Sequence, residues 1–279
     1  MSTRNLLRTW TRCVPPLALA GLLSLASDLP AQDPRTAAPD DSAPCTPGVR
    51  SWVGYGALNV SDAPYSGTWK VTFDQKMSDG KTVHGVTRTL SARSSDGKLR
   101  SEASVGCSLD KDGHVLQQLT IHILDPAAGT FLDWTVGGAV LKVAHREYAP
   151  DRLSYSAGIS EWPVGERSSS IPGKSVTTTR IESLGTRMIA GVQAQGQRLT
   201  ATTIYLNAPG NPNPSITLHE RWISIEHGLL LSDIVDDPDR GRTEAVMENL
   251  SLKEPDPSLF VPPTDYTLME IYPKTTTPH

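Results

Sequence analysis

The sequence predicts a mainly β fold: a single strongly curved antiparallel meander, a half-barrel-like sheet with few short helices and one long covering loop. Three observations carry that expectation. Trp69, Val71, Phe73 and Met77 fall on odd positions, with Lys70, Thr72, Asp74 and Lys76 between them, the period of a strand with one buried face. Asp-Gly pairs at Asp79-Gly80, Asp96-Gly97 and Asp112-Gly113 punctuate the alternating runs, and Gly supplies the positive φ that tight hairpin turns require. No segment keeps a 3.6-residue apolar period over three turns.

The first element is an export signal. Arg4, Arg8 and Arg12 form a basic region, Leu17 to Ala26 a short apolar run, and Leu29-Pro30-Ala31-Gln32 a stretch ending in small or polar residues. The apolar run is shorter than the ~20 residues a membrane-spanning helix needs. Residues 1–32 are therefore expected to be a signal peptide cleaved near Gln32, leaving a periplasmic or secreted mature chain without a transmembrane segment. Three of the 26 basic and one of the 30 acidic side chains leave with it, so the mature protein is more acidic than the whole chain at −4. An acidic surface argues against nucleic acid or an anionic membrane as partner.

Residues 33–63 read as a Pro/Ala-rich leader, 64–272 as one β domain, and 273–279 as a disordered tail. Cys45 in the leader and Cys107 are the cysteines of the mature chain. In an oxidising compartment they are expected to form a disulfide, with two buried free thiols as the alternative.

Six strands follow the leader: 65–77, 82–94, 99–108, 115–124, 130–136 and 139–146, joined by short turns. Strands joined this way are neighbours in one sheet. Pro150, Gly158, Pro163, Gly165, Pro172 and Gly173 then break the rhythm, and 149–175 is expected to be a long covering loop. Strands resume over 176–183, 187–192, 198–206, 216–225, 229–236 and 244–252, before one helical turn over 255–260.

No catalytic motif accompanies these elements: there is no phosphate loop, no nucleophile elbow and no cysteine free to attack. His219 and His227 stand eight residues apart on and beside a strand, ~27 Å at the usual rise, too far to share an ion. Asp233, Asp236, Asp237 and Asp239 lack a later Glu at calcium-loop spacing, and Arg240 and Arg242 add positive charge to the turn. No metal, cofactor or catalytic residue is expected, and the chain reads as non-enzymatic. Trp69, Phe73, Trp134, Trp162 and Trp222 lie on or beside strands and are the candidate ligand-binding residues; the alternative is that they fill the core.

Several phrases carry a resemblance. Pro64-Tyr65-Ser66-Gly67, Ser95-Asp96-Gly97-Lys98-Leu99-Arg100, Glu182-Ser183-Leu184-Gly185-Thr186-Arg187, Glu220-Arg221-Trp222 and Pro255-Asp256-Pro257-Ser258-Leu259-Phe260 together resemble a group of exported acidobacterial-type proteins of unknown function. More remotely, the element order and the Ile189-Ala190-Gly191 phrase resemble the LolA-like and RseB-like lipoprotein-carrier superfamily. That resemblance implies a curved sheet whose concave face takes a lipid, acyl or lipoprotein ligand. Helices usual over that face are not legible, so 149–175 or 49–63 is expected to cover it, or the cavity is closed. The function expected is an exported non-enzymatic binding protein for an apolar ligand. The alternative is a periplasmic sensor or protein-interaction module that docks an envelope protein and has a filled core.

Overall fold

The computed structural model describes residues 43–47, 63–138, 140–148, 161–206 and 213–272, all within one compact unit spanning 33–279. The expected signal peptide, most of the leader and residues 273–279 lie outside the described residues. Among the described residues, no helix is long and apolar enough to cross a membrane.

The fold is mainly β, one open, strongly curled sheet. Strands β1 (Tyr65–Lys76), β2 (Thr82–Arg93), β3 (Leu99–Leu109), β4 (Val115–Asp125), β5 (Thr130–Val136) and β6 (Val143–Tyr148) form a first antiparallel meander. Strands β7 (Gly165–Ile171), β8 (Ser175–Ile189), β9 (Val192–Tyr205), β10 (Ser215–Ser224), β11 (Leu229–Asp237) and β12 (Gly241–Ser251) form a second. The first strand of one meander pairs with the last strand of the other, β1 with β12, so thirteen strands share one sheet once β13 (Thr267–Ile271) is added beyond β6. The Asp-Gly turns close as expected, with Gly80 at φ +82° and Gly97 at φ +87°.

Four sequence expectations are corrected. The 149–175 loop contains β7, hydrogen-bonded along β8 from Gly165 to Ile171. All seven β7 residues are exposed, and a strand that buries neither face leaves no alternation to read. The strand expected over 176–183 runs on through 187–189 as one strand, because a bulge between Ser183 and Gly185 absorbs the break, while Ala190 and Gly191 form the turn into β9, which starts at Val192. The strand expected at 139–146 is β6, 143–148, with Val140 and Leu141 outside it; Ala139 lies outside the described residues. Finally, β13 pairs parallel to β6, a departure from the all-antiparallel meander. Parallel pairing demands a long connection, and here the whole second meander lies between β6 and β13; residues 252–266 lead from β12 to β13 and include the expected single helical turn, a 3-10 turn at Pro257–Phe260.

Two buried clusters hold the sheet. One gathers Trp69, Val71, Phe73 and Met247 with Trp222, Leu231 and Val192. The other gathers Ile121, Ile123, Leu132, Trp134 and Ala144 beneath Phe260 of the 3-10 turn. The buried pair Arg100–Glu102 ties the second cluster together. Arg100 also donates to the Leu259 carbonyl, while Glu102 accepts from the Leu90 amide on the neighbouring strand.

Between the clusters, β2 and β3 part company. They pair only over Ser91–Ser101, Ala92–Arg100 and Arg93–Leu99. Cys45 enters the resulting wedge, forming a bridge to Thr87 and a disulfide to Cys107 of β3. Cys45 and Thr46 are buried, so this part of the leader belongs to the domain wall.

Candidate functional site

The register decides where the five candidate aromatics point. Following paired residues from Val71 to Ala245, Asp233, Arg221 and Gln197 keeps to one face, which Trp69 and Phe73 share. Trp222 is one residue out of phase with Arg221, beside the bulge at Trp222/Ile223, and is buried in the same cluster as Trp69 and Phe73. The same walk from Tyr65 through Arg93, Leu99 and Leu124 reaches Phe131, and Trp134, three residues later, is also out of phase. The five residues therefore do not line one wall. Trp69, Phe73, Trp134 and Trp222 are buried in the two cores.

Trp162 is the half-buried exception. Its backbone N–H donates to Gln197 Oε1 and its carbonyl accepts from Gln197 Nε2, both at 2.8 Å. The ring lies 3.6 Å from the Arg221 guanidinium and edge-on to His219, whose Nε2 is 2.6 Å from Asp233 Oδ1. Burial pushes the Arg221 guanidinium down, with Asp233 and Glu161 opposing the shift. Gln197 thus clamps the 161–164 segment over the sheet face that carries Trp69 and Phe73.

The histidines stay apart: His219 is on β10, while His227 sits in the following turn, where its carbonyl accepts from Arg93. Asp237 Oδ1 accepts the Asp239 and Arg240 amides, as a hairpin tip does. Asp110, Asp112 and His114 bring three ligand-type atoms within 4.8 Å, a grouping not singled out in the sequence. Asp110 uses its carboxylate to accept the Asp112 and His114 amides and to meet His114 Nδ1 at 3.0 Å, so the group closes its own turn.

An open cleft of about 400 Å³ lies at the other end of the sheet. Gln118, Asp133, Thr135, Val143, His145 and Met269 share its face by register across β4, β5, β6 and β13. Val140 and Leu141, drawn out of the β5–β6 connection, form one lip, and the Leu141 side chain is 85% exposed. The floor is polar, with His145 Nδ1 3.6 Å from Asp133 Oδ2; the lip and outer wall are apolar. Trp134 borders the cleft from below, its ring in the opposite-face core, where the Arg100 guanidinium lies 5.8 Å away. The sequence offered no signal for this site, because Val140, Leu141 and Met269 converge only through the β5–β6 excursion and the parallel return of β13.

No family model matches the chain, and no curated protein matches it. Among solved structures it is similar to MucB in a crystal structure, at 14% identity and a TM-score of 0.27. The match covers 75% of this chain and 61% of that one, so the chain spans about three fifths of MucB's length.

A second exposed feature lies on β9 and β10. Ile204, Ile216 and Leu218 sit on one face, 50%, 51% and 38% exposed, on consecutive rows of the register beside Thr200 and Thr202.

Proposed function

We propose that this chain is an exported, non-enzymatic binding protein whose β5–β6–β13 cleft takes an amphipathic ligand of acyl type. The observation that carries the reading is the cleft itself. Val140, Leu141, Val143 and Met269 offer an apolar surface open to solvent, and the Asp133–His145 pair offers polar partners beside it. Its volume of about 400 Å³ falls within the ~300–1,000 Å³ of small-ligand sites. The basic and apolar segments of 1–32 support export. The ligand wall is thus the cleft, while four of the five aromatics expected to form one serve the cores.

Titration of the mature protein with dansyl-labelled undecanoic acid tests the reading by fluorescence. Saturable enhancement that Met269→Glu abolishes and Ile216→Ser leaves intact supports it; Met269 is half-exposed on an edge strand, so the fold accepts the change. Absence of saturable enhancement, or enhancement indifferent to Met269→Glu, overturns it.

The row Ile204, Ile216 and Leu218 favours a second reading, an interaction module docking an envelope protein on the outer face of β9–β10. Enhancement lost in Ile216→Ser but kept in Met269→Glu points there.

A further inference from the structure

The wedge between β2 and β3 sets an accounting question, because every buried backbone donor and acceptor needs a partner. Between residues 86 and 90, no residue of β3 pairs with β2. The Val86 carbonyl accepts from Thr46 N at 2.9 Å, and the Val86 amide donates to Thr46 Oγ1 at 2.9 Å. The Arg88 amide donates to the Pro44 carbonyl at 2.8 Å, and its guanidinium to the Ala43 carbonyl. The Arg88 carbonyl accepts from Gln117 Nε2 at 3.0 Å, and the Leu90 amide donates to Glu102 Oε2 at 2.8 Å. Residues 43–46 therefore act as a surrogate strand in the wedge. Their covalent tie to the far side is Cys45–Cys107, which links positions 62 residues apart.

We propose that Cys45–Cys107 is a redox latch: its reduction releases the 43–46 strap and opens the edge of β2 while the rest of the sheet stays paired. The asymmetry of the two sulfurs sets the route. Cys45 is fully buried and Cys107 partly exposed, so an incoming thiolate of a dithiol reductant reaches Cys107 Sγ. The disulfide breaks, Cys45 departs as a thiolate and takes a proton, and the reductant is bound to Cys107. The second reductant thiol then displaces Cys107, so the reductant leaves as a disulfide and the protein has gained two electrons and two protons. With the tie gone, three backbone groups at Val86 and Arg88 depend on a four-residue strap held by hydrogen bonds alone. The β1–β12 and β1–β2 ladders do not involve the strap and keep their register partners.

Hydrogen exchange by mass spectrometry on the mature protein, oxidised and after dithiothreitol, tests the latch. The result expected is exchange about tenfold or more faster over 84–90 in the reduced protein, with 68–74 and 242–248 unchanged. Equal protection of 84–90 after complete reduction overturns the proposal, and so does simultaneous loss of protection throughout, which would make the bond a global staple. Thr46→Val supplies an independent reading because it keeps the disulfide and removes the acceptor of the Val86 amide. It is expected to speed exchange at Val86 in the oxidised protein, and no change there also overturns the proposal.

Discussion

Gly196 of β9 lies flat against the ring of Trp222, its register partner on β10. A Cβ at that position would stand 2.6 Å from Cη2 of the indole. On the same strand, Trp222 Nε1 donates to Glu220 Oε1 at 2.8 Å, and the Arg187 guanidinium covers the ring at 3.9 Å from its centroid. The ring is confined between glycine backbone and guanidinium, so a bare Cα is part of how the core closes. Gly85 plays the same part under Phe73, where a Cβ would meet Cζ at 2.3 Å.

Gly196→Val is therefore expected to destabilise the fold by about 2 kcal/mol, through overpacking against an aromatic that cannot retreat. Urea denaturation checks this: the midpoint falls while the slope stays unchanged. A midpoint equal to that of the unaltered protein would show that Trp222 has room to move.

Arg100 and Glu102 form a buried pair, with side chains 9% and 8% exposed. Arg100→Met leaves the Glu102 carboxylate buried without its cation, accepting from the Leu90 amide, at an expected cost of about 3 kcal/mol. Arg100→Met combined with Glu102→Gln removes that stranded charge and keeps an acceptor for Leu90, so it is expected to recover part of the loss. Equal stability of the single and double variants, by denaturant titration, contradicts this.

Stability should fall in alkali through Tyr65. Burial pushes its phenol above the ordinary value of 10.0, with its Ser91 partner and the Arg93 charge pulling the other way. The folded state therefore holds the proton longer than the unfolded chain does. The contribution is fully present below the unfolded value and is lost as pH rises from there through the folded value. Tyr65→Phe is expected to flatten the decline in melting temperature between about pH 9 and 11. A decline of equal steepness in the variant would assign it to other groups.

Much of the β architecture was legible because its strands bury one face between short turns. The alternation in Trp69-Lys70-Val71-Thr72-Phe73 is the physical trace of that burial. The strand β7 was not, since Glu-Arg-Ser-Ser-Ser buries nothing, and β13 was not, since its partner lies more than a hundred residues away. The site fared worse than the fold. An aromatic on a strand looks the same in sequence whether it faces a ligand, as was expected of Trp134, or sits beneath Arg100 in a core, as it does.

The sequence by itself determined the strand count of the first meander and the positions of its Asp-Gly turns, because each rests on local chemistry. Only the tertiary structure decided which face a strand buries where the alternation is polar on both sides. β2 shows why: Thr87, Thr89, Ser91 and Arg93 are polar to a reader of sequence, yet all are buried. Ser91 meets the Tyr65 hydroxyl at 2.8 Å, and Arg93 donates to the carbonyls of Ala63 and His227. Burial of a polar side chain depends on whether partners wait at the other end of the chain, and that information belongs to the fold.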